Sequence, residues 1–470
     1  MNPGLASIVF AGGIVCLFLL NRDPTVRTSK ALWIPVAWLF IAGSRAPSAW
    51  LQSPTQMSGA DQFLEGNPFE RNIFLVLLIL ALLVLINRPK KIGEVLRGNA
   101  PILLFISYCA LSLLWSEYPD VGFKRWMKLV GDLGMVLIVT TDIDPSAAFD
   151  RLITRVGFLI VPISILFIRY YPELGRSYEG WSGAMRWTGI TTNKNTLGLI
   201  CMLIGLHTLW RGIRAFRSGK GKSRIRTLTA SGVMLTMVVY LLHAANSATS
   251  TSCFILGSAL IVAISSFPLA RKPLMVHLLA VGAVSLAASA AFFNLAGLVE
   301  QLGRNPDLTG RAEIWSIVLG QPVNRLFGAG YESFWLGERL TTIQRLSGQY
   351  VNQSHDGYIE VLVNLGWVGV ALLALAILAG YKKIHRVIYQ DPGANCIRLA
   401  YLVAAVVYNF TEASFKMLSP VWICFVWAIV SVPSASRVNV SRVKVSPARN
   451  SPSPNSIAVL ADAGKAWGDK

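Results

Sequence analysis

A single histidine stands where a polar stretch meets a long apolar one. His355 and Asp356 follow Asn352–Ser354 and precede residues 357–380, which are apolar enough to cross a membrane as a helix. A neutral histidine can take a proton from an attacking hydroxyl near pH 7, and a partly desolvated interface favours its neutral form. Asp356 or Glu360 would orient the ring. These three residues are the candidate catalytic group, and the alternative is that His355 and Asp356 cap the helix at head-group level.

A second cluster combines cations with aromatic rings between Arg169 and Asn195. Such a mixture offers donors for an anion beside flat faces on which sugar rings can stack. The alternatives are an aromatic belt at the membrane surface and, for Thr192 or Asn193, a helix N-cap. The candidate substrate-binding residues here are Arg186, Trp187, Lys194 and Asn195.

A third cluster lies in the long polar interval from Asn305 to Trp335. Arg311 lies in a TGRAEIW segment at 309–315, and the turn at residues 328–330 allows the backbone to approach a ligand closely. We assign Arg311, Tyr331 and Trp335 as candidate substrate-binding residues. The alternative is a loop helix with a surface arginine.

Other polar residues carry weaker signals. Ionisable groups within apolar runs are often functional, although hydrogen bonds between helices explain them equally well; they are Asp132, His207, His243 and Glu412. Asp142 and Asp144 have a spacing that can hold a divalent ion with a sugar diphosphate, and a metal-dependent transferase built on them is the last alternative. The cysteines form neither a disulfide framework nor a metal-binding pair. No metal site is assigned.

The elements that position these groups are membrane helices. With 53% hydrophobic and 14% charged residues in 470 positions, the chain is far too apolar for a soluble domain. We predict an all-α polytopic membrane protein with about 12–13 transmembrane helices and one large periplasmic loop. The apolar runs lie near 5–20, 31–43, 73–87, 99–115, 129–141, 152–169, 195–210, 228–243, 252–267, 274–298, 357–380, 397–411 and 417–433.

The formal net charge of +19 is distributed as an orientation signal, not as a nucleic-acid surface. Basic residues crowd the connections at 88–97, 211–226, 271–272 and 382–386, which the positive-inside rule places in the cytoplasm. All three clusters then face outward, and we expect the N-terminus outside as well. The predicted organisation is 1–298 N-terminal transmembrane helices, 299–356 large periplasmic loop, 357–433 C-terminal transmembrane helices and 434–470 disordered cytoplasmic tail.

The sequence also resembles a known family. His355-Asp356, nine residues and then Gly366-x-x-Gly369 resemble the signature after the large loop of bacterial O-antigen ligases and related polysaccharide polymerases. TGRAEIW at 309–315 and RWTGITTNKNTLG at 186–198 resemble two further segments of that family. Residues 38–50 are more similar to the exopolysaccharide polymerisation branch, and Asp356 departs from the ligases, which usually have Asn, Ser or Gln at this position. Both features favour a polymerase over a ligase.

The resemblance implies an inner-membrane glycosyltransferase without metal, nucleotide sugar or other cofactor. Its donor would be a glycan on undecaprenyl diphosphate, with Arg186 and Arg311 on the diphosphate and His355 as the base. Its acceptor would be a glycan in a polymerase or lipid A core in a ligase. Membrane lipids and other polysaccharide assembly proteins are the remaining candidate partners. A transporter or flippase of lipid-linked sugars is the alternative from another class.

Overall fold

The computed structural model describes residues 2–23, 26–50, 67–178, 183–218, 220–292 and 308–430. Over these ranges the chain is almost entirely helical, which confirms the predicted all-α polytopic fold. The first helices are α1 (Pro3–Leu20), α2 (Trp33–Ala42), α3 (Pro47–Trp50), α4 (Pro68–Ile86), α5 (Pro89–Arg97), α6 (Ala100–Leu111), α7 (Pro119–Thr140), α8 (Pro145–Tyr170) and α9 (Pro172–Gly175). The predicted tail at 434–470 and the loop residues 299–307 lie outside the described ranges.

The second half of the chain contributes the helices around the site. They are α10 (Lys194–Arg217), α11 (Lys222–Ala245), α12 (Ala248–Ser266), α13 (Pro273–Phe292), α14 (Leu308–Leu319), α15 (Gly337–Ser347), α16 (Gly357–Ile388), α17 (Pro392–Tyr408) and α18 (Pro420–Ile429). Helices α17 and α18 are largely buried, whereas α1, α4 and α13 expose most of their apolar surface, as helices that face lipid do.

Each predicted apolar run contains a helix, but fewer helices than the predicted 12–13 qualify as spans. In the described ranges eight are long and apolar enough to cross a membrane, or nine if α5 and the stretch Ala100–Trp115, bent by 92°, count as one. Helix α18 has 10 residues, which rise only about 15 Å, half of the hydrocarbon core. Helix α7 is long enough, but its first half carries several charged residues.

Asp132, one of the ionisable residues within the apolar runs, connects parts of the bundle through hydrogen bonds. Asp132 on α7 accepts hydrogen bonds from Trp38 Nε1 on α2 at 2.8 Å and from the Leu418 backbone N–H at 2.9 Å. Asp132 therefore joins two helices to the turn before α18, in agreement with the structural alternative.

One short hairpin lies outside the helical pattern. Strands β1 (Arg176–Tyr178) and β2 (Met185–Trp187) pair antiparallel with Ser177 opposite Arg186. Arg45, after α2, donates to the carbonyl oxygens of Leu174, Gly189 and Thr191 on either side of the hairpin. This arginine fixes the connection that carries Arg186.

Helix α16 is broken inside its span. Gly366 has φ 65° and ψ −170°, so the helix pauses after its first nine residues. Segment 325–330 enters the break, and four backbone hydrogen bonds satisfy the groups that the break leaves open. They run from Ala329 N–H to Val363 O, Gly330 N–H to Asn364 O, Trp367 N–H to Arg325 O and Val368 N–H to Leu326 O, at 2.8–3.2 Å.

Candidate active site

A cavity of about 540 Å³ gathers residues of the predicted clusters at one end of the helix bundle. Its lining comes from the hairpin, the start of α10, the loop before α16 and the turn between α17 and α18. The polar and charged lining residues are Ser177, Tyr178, Arg186, Asn193, Lys194, Asn195, Thr196, Gln353, His355, Tyr408, Glu412, Ser414, Lys416 and Ser419. Four predicted site residues are therefore on the surface of one cavity: His355, Arg186, Lys194 and Asn195.

His355 lines this cavity from an unusual backbone conformation. Its φ of 56° is in the left-handed region, which a residue with a side chain rarely adopts. Both backbone groups of the preceding Ser354 are held, because Trp315 Nε1 donates to its carbonyl at 2.8 Å and its N–H donates to Glu360 at 2.5 Å. The surrounding contacts hold the strained backbone and leave the imidazole 30% exposed.

Glu412 is the carboxylate that lies against the His355 ring. Its Oε2 is 3.5 Å from His355 Nδ1, and its Oε1 accepts a hydrogen bond from Asn195 Nδ2 at 3.0 Å. Arg311 forms an ion pair with the same Oε1 at 3.4 Å and donates to the Thr411 carbonyl. Glu412 thus connects the three predicted clusters.

A contact between two helix ends places Glu412 beside His355. The Gly357 N–H at the start of α16 donates to the Asn409 carbonyl at the end of α17, at 2.8 Å. The buried Asn409 side chain accepts hydrogen bonds from the Ser414 and Phe415 N–H groups at 2.8 and 3.0 Å. Asn409 therefore folds the turn that carries Glu412 and attaches it to the residue two positions after His355.

Asp356 and Glu360 make other contacts than the predicted ones with His355. Asp356 is the N-cap of α16, and its Oδ1 accepts from the Tyr358 and Ile359 N–H groups at 2.8 and 2.9 Å. Burial raises the pKa of Asp356, opposed by these two hydrogen bonds and by the charge of Arg311. Glu360 accepts from Trp335 Nε1 at 2.8 Å and from the Ser354 N–H. In the described residues both carboxylates support the His355 loop, and Glu412 faces the ring.

The predicted substrate-binding residues divide into two groups. Arg186, Lys194 and Asn195 line the cavity, and Asn193 caps α10 by accepting from Thr196 N–H at 2.9 Å, as predicted. Trp187 is not on the cavity lining, since its ring packs near Tyr240, with ring centroids 6.2 Å apart.

Tyr331 and Trp335 are buried in the large loop and do not line the cavity. Tyr331 donates its N–H to Ser112 Oγ at 2.9 Å, and Trp335 is bonded to Glu360. Both side chains therefore stabilise the fold of the loop. Trp335 is part of a small hydrophobic core that the loop forms with Val363 of α16, and Tyr331 packs in the main core of the bundle.

Arg311 stands behind Glu412 and is not part of the cavity lining. Its side chain is 18% exposed, and both its contacts are to the turn after α17. Arg311 and Trp315, one helical turn apart on α14, therefore hold the two sides of the site together.

Sequence reasoning missed the roles of Glu412, Gln353 and Lys416. Gln353 Nε2 is 3.3 Å from His355 Nδ1, and Lys416 Nζ donates to Gln353 Oε1 at 3.1 Å. Their sequence signal was weak: Gln353 is two residues before His355, and Lys416 follows Glu412 in the same short connection between α17 and α18.

Asp142 and Asp144, considered above as ligands of a metal ion, accept hydrogen bonds from backbone N–H groups. Asp142 Oδ1 accepts from the Ser29 and Ile143 N–H groups, and Asp144 caps α8 through the Ser146 and Ala147 N–H groups. In the described part of the chain no three His, Cys, Asp or Glu side chains are grouped as a metal ion would require.

Sequence comparisons with known proteins cover part of this site. The model of the family described as O-antigen ligase matches residues 232–374, which include Arg311, His355 and the break at Gly366. The exopolysaccharide production protein ExoQ of Rhizobium meliloti (strain 1021) is 24% identical over 349 residues, covering 72% of this chain and 77% of that protein. Both matches agree with a multi-pass membrane enzyme of glycan transfer, of ligase or polymerase type. The chain is thus similar over residues 232–374 to the family described as O-antigen ligase, and over 72% of its length to one exopolysaccharide production protein.

Proposed function

We propose that this protein is an inner-membrane glycosyltransferase that polymerises glycan repeat units carried on undecaprenyl diphosphate. The name of the similar rhizobial protein suggests that the product is an exopolysaccharide. The observation that carries the proposal is the arrangement of His355, Glu412, Arg186 and Lys194 around one cavity. A base, a carboxylate to orient it and cations for a diphosphate are the groups that this transfer needs.

In the proposed reaction the acceptor hydroxyl attacks the anomeric carbon of the donor glycan. The new glycosidic bond forms as the bond from that carbon to the diphosphate oxygen breaks, with inversion, and undecaprenyl diphosphate leaves. His355 Nε2 takes the proton of the hydroxyl. Glu412 replaces Asp356 and Glu360 as the orienting carboxylate and stabilises the imidazolium that forms.

This role requires one of the two neutral tautomers of His355. Nδ1 lies between Glu412 Oε2 and Gln353 Nε2, at 3.5 and 3.3 Å. A carboxylate only accepts, so a proton on Nδ1 pairs with Glu412 and leaves Nε2 as the base. A proton on Nε2 instead lets Gln353 donate to Nδ1 and removes the base. The proposal is that Glu412 selects the first tautomer.

We assign the diphosphate to cations that line the cavity. Arg186 can bind phosphate oxygens with two parallel hydrogen bonds, and Lys194 and Lys416 add point charges on either side. Arg311, predicted as a second diphosphate ligand, acts through Glu412 in this proposal. Bound in this way, the leaving group gains its negative charge next to fixed cations, without help from a metal ion.

The cavity faces the periplasm in this proposal. Helix α10 begins at the cavity with Lys194 and ends at the basic connection 211–226, which the positive-inside rule assigns to the cytoplasm. Residues 308–356 of the large loop would then cover the site from the periplasmic side, close to a lipid-linked donor.

His355→Ala tests the assignment of the base. We expect the variant to insert at the wild-type level and to make no polymer, because the proton acceptor is missing. His243→Ala is the matched control, since His243 is an exposed histidine at the same end of the bundle outside the cavity lining. Wild-type polymer from the His355 variant would refute the role of the base.

Polymerase and ligase differ in the acceptor and are distinguished in a strain that lacks the gene. Single repeat units on the carrier or on lipid A indicate a polymerase. Long carrier-linked chains that never reach lipid A core indicate a ligase, the second candidate function favoured by the description of the family.

A transporter of lipid-linked sugars makes a different prediction for purified protein in liposomes. Formation of a glycosidic bond from lipid-linked donor, also in the presence of a chelator, supports the metal-independent enzyme. Movement of the donor across the bilayer without bond formation supports the transporter.

A further inference from the structure

A second cavity, of about 600 Å³, lies at the other end of α10. It is lined by the end of α1, the start of α8, the end of α10 and the start of α11. The first cavity includes Asn195, and the second includes Arg214, 19 residues later on the same helix. At 1.5 Å per residue these are about 28 Å apart, close to the thickness of the hydrocarbon core. The two cavities therefore open at opposite ends of a candidate membrane span.

The lining of this second cavity is strongly basic. Seven of its residues are Arg or Lys, and three are Asp. The acidic groups are already engaged in part: Asp150 pairs with Arg211 at 3.4 Å and with His207 at 3.1 Å, and Asp144 caps α8. A concave surface with this excess of positive charge concentrates anions, because its potential is focused into the cavity.

Two of the arginines lie close to aromatic rings. The guanidinium of Arg214 lies 4.7 Å from the centre of the Trp210 ring, and that of Arg224 lies 5.2 Å from the Phe216 ring. Stacking fixes the plane of a guanidinium and leaves its N–H groups at the edge. In the described part of the chain neither Arg214 nor Arg224 is within ion-pair distance of a carboxylate. Both guanidinium groups therefore remain as donors for an outside ligand.

The arginines also join α1 to the bundle. Arg226 donates to the Leu19 carbonyl at 3.2 Å, and Arg151 donates to the carbonyls of Asp23 and Val26 at 3.0 and 2.9 Å. These bonds bring the end of α1 to the rim of the cavity, so four chain segments meet there. Basic residues that served only to orient the chain in the membrane would not require four segments to meet around one cavity.

We propose that this cavity binds a phosphate-bearing anion, held by Arg214, Arg224 and Lys220. Guanidinium groups recognise phosphate oxygens with paired hydrogen bonds, and a lysine adds a compact charge. A soluble phosphate compound and the head group of an anionic lipid share this chemistry. The site is separate from the catalytic cavity and would face the cytoplasm.

Binding of inorganic pyrophosphate tests the site. The full chain is placed in phosphatidylcholine nanodiscs, and pyrophosphate is titrated into the wild type, Lys220→Ala, Lys222→Ala and the double variant R214Q/R224Q. Lys222 is the matched control, because it is an exposed lysine two residues away that does not line the cavity. Arg186→Ala removes the contribution of the other cavity, and thermal unfolding verifies that each variant is folded.

We expect affinity to fall about tenfold in K220A and further in the double variant, while K222A changes less than twofold, because only lining cations contact the phosphate. R186A should retain this binding. Competition by phosphatidylglycerol in the nanodisc would assign the site to a lipid head group, and no competition would assign it to a soluble compound. The proposal is wrong if K222A weakens binding as much as K220A, or if neither pyrophosphate nor phosphatidylglycerol binds in an Arg214-dependent way.

Discussion

Gly357→Ala should separate His355 from Glu412 without touching either. A Cβ at Gly357 would lie 2.6 Å from Asn409 Cγ and 2.9 Å from Asn409 Cβ, and closer still to Asn409 Oδ1. Ordinary carbon contacts begin near 3.4 Å, so the Asn409 side chain must move by about 1 Å. That movement weakens the two hydrogen bonds that Asn409 Oδ1 accepts from Ser414 and Phe415.

The size of the effect follows from these bonds. Each is worth about 1 kcal/mol net, and a buried N–H left without a partner costs about 1–3 kcal/mol, so we expect roughly 2–4 kcal/mol of destabilisation. A displacement of about 1 Å at a catalytic group costs about 100-fold in rate. The measurements are the thermal midpoint in detergent and the rate of polymer formation at a temperature where the variant is folded.

Gly232→Ala is the control for Gly357→Ala. Gly232 lies inside α11, and an added Cβ has no neighbour within 4 Å. Alanine favours a helix by about 1 kcal/mol over glycine, so this variant should be as stable as the wild type or slightly more stable. If folded G357A protein makes polymer at the wild-type rate, the Asn409 turn does not set the position of Glu412 for catalysis.

Two further substitutions test the parts of the site separately. Glu412→Gln keeps an acceptor for Asn195 but removes the charge beside His355, so polymer formation should fall about 100-fold or more. The control Glu173→Gln, at an exposed position, should leave the rate unchanged. Polymer formation by E412Q at the rate of E173Q would exclude Glu412 from the mechanism. Gly366→Ala places a Cβ 2.5 Å from the Phe327 N atom at a φ of 65°, so segment 325–330 should leave the break in α16. Limited proteolysis should then cut the loop faster than in Gly282→Ala, whose added Cβ meets no neighbour within 4 Å, and unchanged cleavage would contradict this account of the break.

The helices were predictable from the sequence because each apolar run had to satisfy its backbone within the membrane. Their status as spans was less predictable, because short apolar helices such as α18 are buried by protein, not by lipid. Hydropathy does not distinguish these two environments. The predicted count of about 12–13 spans therefore included short helices, such as α18, that are buried inside the bundle.

The candidate base and the candidate cations could be singled out from the sequence because they stand in local patterns, and the structure places them on one cavity. His355 precedes a long apolar run, and Arg186 and Lys194 precede another, so both groups had to lie at helix ends. The partner of His355 was not predictable in this way. Glu412 is 57 residues further along the chain, and only the contact between Gly357 and Asn409 brings it to the ring.

Asp356 shows why adjacency in sequence was misleading. An aspartate directly before a long apolar run is first of all an N-cap, and its carboxylate is used by the N–H groups of Tyr358 and Ile359. Gly366 interrupts the helix after nine residues, 357–365, so the spacing between His355 and Gly366 is set by one rigid helical segment of about 14 Å. That segment joins the loop that carries His355 at one end to the backbone of segment 325–330 at the other. A change of spacing would rotate and displace His355 relative to the loop that supports it, and this gives a physical reason for the signature.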